Sequence, residues 1–157
     1  MRTPTFETRP AFCVAGCGGA VVPHSPDIGT LWQEFVPRIG EVSNRVGVAT
    51  YGLCCPAGEN TDDPNKFIYI AGVAVRDLND VPDGMIGRQL PESEYAVFAH
   101  EGGLGPALGA TFQEIFNDWL PSSGYQANGI DFEFYDERFN PVTNEGTFYI
   151  YVPIVPN

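Results

Sequence analysis

Two rhythms of hydrophobic spacing divide the chain. Residues 6–15, 45–54 and 67–75 carry the apolar, β-branched and aromatic enrichment of strands, and 94–100, 130–135 and 146–152 repeat it in the second half. After the first strand, Ser25-Pro26-Asp27 reads as a helix start: a cap, a proline at the first helical position and an acid near the positive end. Ile28, Leu31, Trp32, Phe35 and Ile39 then share one helical face, which Pro37 should end or bend. A second helix is expected from about Pro106, after a Gly102-Gly103 turn, burying Leu108, Phe112, Ile115, Phe116 and Trp119. Residues 56–65 read as an acidic loop.

The order strand–helix–strand–strand occurs twice, and residues match as well as order. Trp32-Gln33-Glu34-Phe35 aligns with Phe112-Gln113-Glu114-Ile115, and Phe67-Ile68-Tyr69-Ile70 with Phe148-Tyr149-Ile150-Tyr151, both at an offset of about eighty residues. The fold expected is α+β: one domain over 1–157, built from tandem duplicated strand–helix–strand–strand modules (about 1–80 and about 88–157). They should be related by a pseudo-twofold axis, with an antiparallel sheet and both helices on one side. Such a pair leaves a seam between its modules, and seams are where small-molecule pockets form.

Composition narrows the function. Twenty acids against eight basic residues give a formal charge of -12, with Lys66 the only lysine. That field repels phosphate backbones, so direct nucleic-acid binding is not expected, and it tolerates cations. No apolar run approaches the roughly 20 residues of a membrane span. The segment 11–22 is broken by Gly16, Gly18 and Gly19 and follows the polar Glu7 and Arg9, so no secretory signal is read and a cytoplasmic location is expected. Cys13 and Cys17, then Cys54 and Cys55, lack the spacing of a metal knuckle. They read as small buried hydrophobes, and neither metal nor cofactor is expected.

One strand poses a specific question. In Ile130-Asp131-Phe132-Glu133-Phe134-Tyr135-Asp136 the phenylalanines alternate with Asp131, Glu133 and Tyr135, so one face is aromatic and the other acidic and phenolic. On pattern alone Glu133 reads either as a solvated residue or as a site. At the repeat offset its counterpart falls near Thr50 and Tyr51, where no acid stands. The carboxylate therefore occurs once in a duplicated scaffold.

The run Tyr95-Ala96-Val97-Phe98-Ala99-His100-Glu101-Gly102, the segment Trp119-Leu120-Pro121-Ser122-Ser123-Gly124-Tyr125, the Phe132-Glu133-Phe134-Tyr135 strand and the terminal Tyr149-Ile150-Tyr151-Val152-Pro153-Ile154 together resemble the GyrI-like family. These are effector-binding domains also found fused to AraC-type and MerR-type regulators. The resemblance is closest to stand-alone members, including integron-cassette cationic drug-binding proteins, and a partner regulator chain is left open. It implies a pocket for a lipophilic cationic small molecule, with Glu133 as its buried carboxylate and aromatic walls. Candidate walls are Trp32, Tyr51, Phe98, Trp119, Tyr135, Tyr149 and Tyr151. Tyr51 and Tyr135, on repeat-equivalent strands, are expected to line one cavity with Glu133.

Two rival functions follow from the same resemblance. Some members hydrolyse cyclopropane-bearing genotoxins with a pocket glutamate, a role Glu133 would fill if desolvation raised its pKa. No second acid–base group is positioned by sequence, since His24 and His100 read as turn or solvent-facing residues. The family name also points to gyrase modulation, which an acidic surface would serve by engaging a basic partner. The acids at Asp62, Asp63, Asp77, Asp80, Asp83, Glu92 and Glu94 read instead as solvated loops.

Overall fold

The structure, a computed structural model, describes residues 3–22, 25–56, 66–101, 106–140, 143 and 145–157. His24, the Gly102-Gly103 turn and most of the acidic loop lie outside these residues. Strands β1 (Thr5–Arg9) and β2 (Phe12–Val21) lead into helix α1 (Pro26–Phe35), which tightens into a 3₁₀ turn, Val36–Glu41. Strands β3 (Arg45–Cys55), β4 (Phe67–Val75), β5 (Ile86–Leu90) and β6 (Ser93–Glu101) follow. Helix α2 (Pro106–Gln113) runs on through a π-helical segment, Glu114–Trp119, and a last turn, Leu120–Ser122. Strands β7 (Tyr125–Ala127), β8 (Asp131–Tyr135), β9 (Phe139–Asn140) and β10 (Glu145–Pro156) complete the chain.

The helix start matches its sequence signature. Ser25 caps α1, its Oγ accepting from the Asp27 amide at 3.1 Å, and Pro26 occupies the first turn. The predicted strand 6–15 is two strands rather than one. Pro10 has no amide hydrogen to give a ladder. The chain leaves β1 there, and β2 begins at Phe12 in different company. Strand β5, too short and too polar to stand out in the sequence, pairs with β2.

All pairings are antiparallel, in one sheet ordered β1-β6-β10-β8-β3-β4-β2-β5, with β7 and β9 also paired to β10. The order reads symmetrically from the central β8–β3 pair. Each side has an inner strand, then the last strand of its strand–helix–strand–strand unit, then the first, then a short edge strand, consistent with two copies of one module. Pro10-Ala11 and Pro91-Glu92 each carry the chain from one end of the sheet to the other, so the sheet is curled until its ends lie close. Gly16 and Gly72, paired across β2 and β4, permit part of this curl: a Cβ on Gly72 would lie 2.5 Å from the Ala15 carbonyl oxygen.

Three apolar clusters result. Inside the curl, Tyr51, Leu53, Tyr95, Phe132 and Tyr151 pack with Ile70 and Leu90. On the outer face, α1 covers Ala15, Cys17, Tyr69, Ala71 and Val73, while α2 covers Ala96, Phe98, Phe148, Ile150 and Val152. Strand β4 has both faces covered, which is why its sequence is a continuous apolar run. Trp32 packs against both helix-covered clusters and so bridges them over the β3–β8 seam.

Candidate functional site

Strand alternation decides what the seam shows to each side. In the β3–β8 ladder Thr50 pairs with Tyr135, Gly52 with Glu133 and Cys54 with Asp131. These six share the face that carries the helices. Tyr51 pairs with Phe134 and Leu53 with Phe132, and these four point into the curl. The helix-side floor is thus small or polar along its whole length, between two greasy flanks.

Glu133 lies at its centre and is 6% exposed. Tyr135 donates to its Oε1 at 2.7 Å and Tyr69 to the same oxygen at 2.8 Å. Trp32 in turn donates its indole N–H to the Tyr69 hydroxyl at 3.0 Å. Neither tyrosine uses Oε2. Among the described residues no cation forms an ion pair with this carboxylate. Arg138, the nearest basic residue in sequence, pairs instead with Asp136 and donates to Tyr149 at 2.8 Å. Burial pushes the Glu133 carboxyl above its ordinary range, and the two hydroxyls pull partly against that. The hydroxyls of Tyr69 and Tyr135 are driven well up, by burial first and by the neighbouring carboxylate second. They therefore stay protonated and serve as donors.

A cavity of about 460 Å³ opens at the Tyr135 end of this floor. Gly29, Trp32 and Val36 of the first helical segment line it with Val48 and Thr50 of β3, then Tyr135, Asp136, Glu137 and Phe139. Its walls are mainly apolar and aromatic, with Trp32 set edge-on to Tyr135 at 5.6 Å between ring centres. Val48, 82% exposed, stands at its mouth on an irregular stretch of β3 where the pairing to β4 skips between Arg45 and Thr50. Glu133 is one layer behind the wall, reached through Tyr135.

The expected walls divide. Trp32 and Tyr135 line the cavity, and Tyr135 shares a hydrogen bond with Glu133 as the alternation required. Phe98 and Trp119 lie on the helix side but pack on each other at 5.1 Å in the core beneath α2. Tyr51, Tyr149 and Tyr151 are on the opposite face: Tyr149 and Tyr151 pair with Phe134 and Phe132, so Phe148 and Ile150 take the helix side of β10. The expectation that Tyr51 and Glu133 line one cavity is corrected accordingly, since paired strands place them on opposite sides of the sheet. His100 is also corrected: it is fully buried, with Nδ1 2.8 Å from Thr111 Oγ1.

Three participants escaped the sequence reading. Tyr69 was signalled by a lone phenol inside the all-apolar β4, since a buried tyrosine hydroxyl needs a partner. Gly52 depended on register and had no local signal of a site role, whereas Asp131 shares the Glu133 face by strand alternation alone but was not singled out.

The inner face holds a cation of its own. The Arg9 guanidinium sits within 4.8–5.9 Å of the ring centres of Phe12, Tyr51, Phe132, Phe134 and Tyr151 and donates to the Tyr51 hydroxyl at 3.2 Å. These aromatics are engaged internally.

Comparison with known proteins bears on this arrangement. Residues 2–155 match the family described as a GyrI-like small molecule binding domain. The chain is 36% identical over 150 residues to the transcriptional regulator BrlR of Pseudomonas aeruginosa, a match covering 93% of this chain and 53% of BrlR. The chain thus spans about half the length of that relative. Among solved structures it is similar to SAV2435 bound to tetraphenylphosphonium, with TM-score 0.75 and 17% identity over 97% of this chain and 93% of that one. It is also similar to an integron cassette protein from the mobile metagenome of Vibrio cholerae, with TM-score 0.68 and 16% identity over 98% and 96%.

Proposed function

The chain belongs to the family of GyrI-like small molecule binding domains, and from that premise we propose that it binds a lipophilic organic cation at the seam between its modules. The observation that carries this reading is Glu133: a buried carboxylate held by two tyrosine hydroxyls, with no cationic partner among the described residues, directly behind an aromatic cavity. A carboxylate removed from water loses several kcal/mol of solvation that neutral contacts return only in part. A bulky cation restores charge balance while burying its own apolar surface, at roughly 25 cal/mol per Å². Trp32 and Tyr135 add ring-quadrupole attraction of about 0.5–2 kcal/mol each.

The roles divide along the hydrogen-bond chain. Tyr135 is both wall and gate, since a cation reaching Glu133 passes its ring. Tyr69 fixes the carboxylate orientation, and Trp32 anchors Tyr69 while closing the cavity from α1. Glu137 and Asp136 give the cavity an acidic rim that draws cations in, with Asp136 partly neutralised by Arg138. That SAV2435 was solved with tetraphenylphosphonium, itself a lipophilic cation, supports the same ligand class here.

The test is titration calorimetry with tetraphenylphosphonium and with triphenylphosphine oxide, a neutral relative of similar shape. Glu133→Gln should keep the fold and weaken the cation by about 1.5–3 kcal/mol, the scale of an interaction with a charged group. The neutral compound should lose far less. Equal losses, or none, would remove Glu133 from the site.

A further inference from the structure

Helix α1 carries two apolar stripes. Ile28, Leu31 and Phe35 pack on the sheet. Gly29, Trp32 and Val36, three and then four positions apart, form a second stripe along the cavity wall. Little protein covers the outer part of that wall. Val36 is 57% exposed, and Val48, which β3 contributes to the same cavity, is more exposed still. Val46, two residues before Val48 in the irregular stretch of β3, is also exposed. Three of the five large apolar side chains exposed among the described residues thus belong to this mouth or to the segment that forms it. Exposed apolar surface gathered at a cavity is surface kept for a ligand.

Gly29 lacks a side chain for no reason that the fold supplies. It lies within α1 without a positive φ, and a Cβ there would meet no atom within 4 Å. Gly16, Gly52 and Gly72, by contrast, are crowded by their neighbours. Inside a helix glycine is a poor choice, because it loses more chain entropy than any other residue. Openness alone does not mark a site, since Gly40 is equally open and lies off the cavity. What distinguishes Gly29 is that its missing side chain leaves room on the cavity wall. An apolar cavity of roughly 150 Å³ accepts one benzene, so the 460 Å³ here suits about three rings rather than one.

We propose that Gly29 is a specificity-determining residue of the cavity, keeping its mouth wide enough for the further rings of a multi-ring cation, which lie across Gly29 and cover Val36 and Val48. This rests on the cation reading of Glu133 and sharpens it to a size class. The ring nearest the charge packs against Trp32 and Tyr135. The outer rings cover apolar surface that the free protein leaves in water, and a one-ring cation gains nothing from it.

The experiment uses phosphonium cations that carry one charge on one kind of atom and differ in ring number: trimethylphenyl-, methyltriphenyl- and tetraphenylphosphonium. Affinities are read by calorimetry, with weak ones read by displacement of tetraphenylphosphonium. The wild type should bind the three- and four-ring cations at least about tenfold more tightly than the one-ring cation. Gly29→Leu, which places a side chain in the open space, should weaken the three- and four-ring cations at least about tenfold and the one-ring cation by less than about twofold. The melting temperature of the ligand-free variant should be unchanged or higher, since a helix glycine is removed and nothing is displaced. Gly40→Leu should leave all three affinities within about twofold. Equal losses for small and large cations in Gly29→Leu, no loss for the large ones, or a lowered melting temperature overturns the proposal while leaving the cation site intact. Failure of every phosphonium to bind the wild type removes the underlying reading instead.

Discussion

Gly52 stands directly opposite Glu133 in the β3–β8 ladder, and the space of its missing side chain is filled by the glutamate's own hydrogen-bond network. A Cβ there would lie 2.6 Å from Glu133 Oε1 and closer still to the Tyr69 hydroxyl. Both atoms are buried and hydrogen-bonded to each other, so making room for the Cβ means displacing that pair. Gly52→Ala should therefore destabilise the protein by roughly 1–3 kcal/mol, the scale of overpacking, in chemical denaturation. It should also break the Tyr69–Glu133 bond and weaken tetraphenylphosphonium more than Gly18→Ala, a crowded glycine elsewhere in the sheet. Equal effects of the two on binding would reduce Gly52 to a packing residue.

Stability should fall as pH rises through the weakly acidic range. Asp131 is shifted from 3.8 to about 7 by burial and by Glu133, so the folded state holds a proton that the unfolded chain has released. The sign is fixed by that direction: the stabilisation is complete below about pH 4 and is lost on the way to pH 7. Glu133, also raised, adds to the same slope. Allowing for partial exposure, the loss from Asp131 is roughly 1–2 kcal/mol at about 1.4 kcal/mol per pKa unit. Asp131→Asn should flatten the dependence of unfolding free energy on pH between 4 and 7. An unchanged slope would place the proton elsewhere.

The strand carrying Glu133 was legible because alternation is local: Phe132 and Phe134 to one side, Glu133 and Tyr135 to the other, needs no knowledge of neighbours. The symmetric sheet order was foreshadowed by the repeated strand–helix–strand–strand pattern. What faces Glu133 from β3 was not legible, because it is set by long-range register. The repeat offset pointed to Thr50 and Tyr51, whereas the ladder puts Gly52 there, and a slip of one residue exchanges the faces of a whole strand. That slip moves Tyr51 from the pocket to the interior of the curl. On β10 the tyrosines stood out by type, while the pairing with β8 turned Tyr149 and Tyr151 away.

Arg9 should behave as a structural clamp rather than a ligand contact. It ends β1, pairing with Ser93, and Leu90 ends β5, pairing with Phe12, so each stands before a proline that crosses between sheet ends. Leu90 fills its place as a buried apolar residue, while Arg9 fills its own as a cation over five rings. Arg9→Ala should cost about 1–3 kcal/mol through lost stacking and lost packing of the aliphatic stem. Arg9→Leu, which restores apolar volume, should recover much of that in thermal unfolding. Neither should move tetraphenylphosphonium affinity by more than about twofold. A large loss of binding in Arg9→Leu would show that the inner face communicates with the pocket.

The two faces of β8 give the most direct test of where the ligand sits. Tyr135 and Tyr51 are both buried tyrosines on adjacent strands and differ chiefly in side. Tyr135 donates to Glu133 and lines the cavity; Tyr51 accepts from Arg9 inside the curl. Removing the Tyr135 hydroxyl leaves Glu133 with one phenol donor and frees the oxygen that a ligand must otherwise share. Tyr135→Phe should shift tetraphenylphosphonium affinity measurably and raise the Glu133 carboxyl further, so that the rise of affinity with pH moves to higher pH than in the wild type. The direction follows because a cation prefers the ionised carboxylate, and a carboxyl pushed higher ionises later. Tyr51→Phe should leave both affinity and its pH profile unchanged, losing only the hydrogen bond from Arg9, about 1 kcal/mol of stability. Calorimetry of the two variants at matched pH reads both arms. Parallel changes would mean that the ligand is felt through the sheet as a whole, and that no one face of β8 is the binding face.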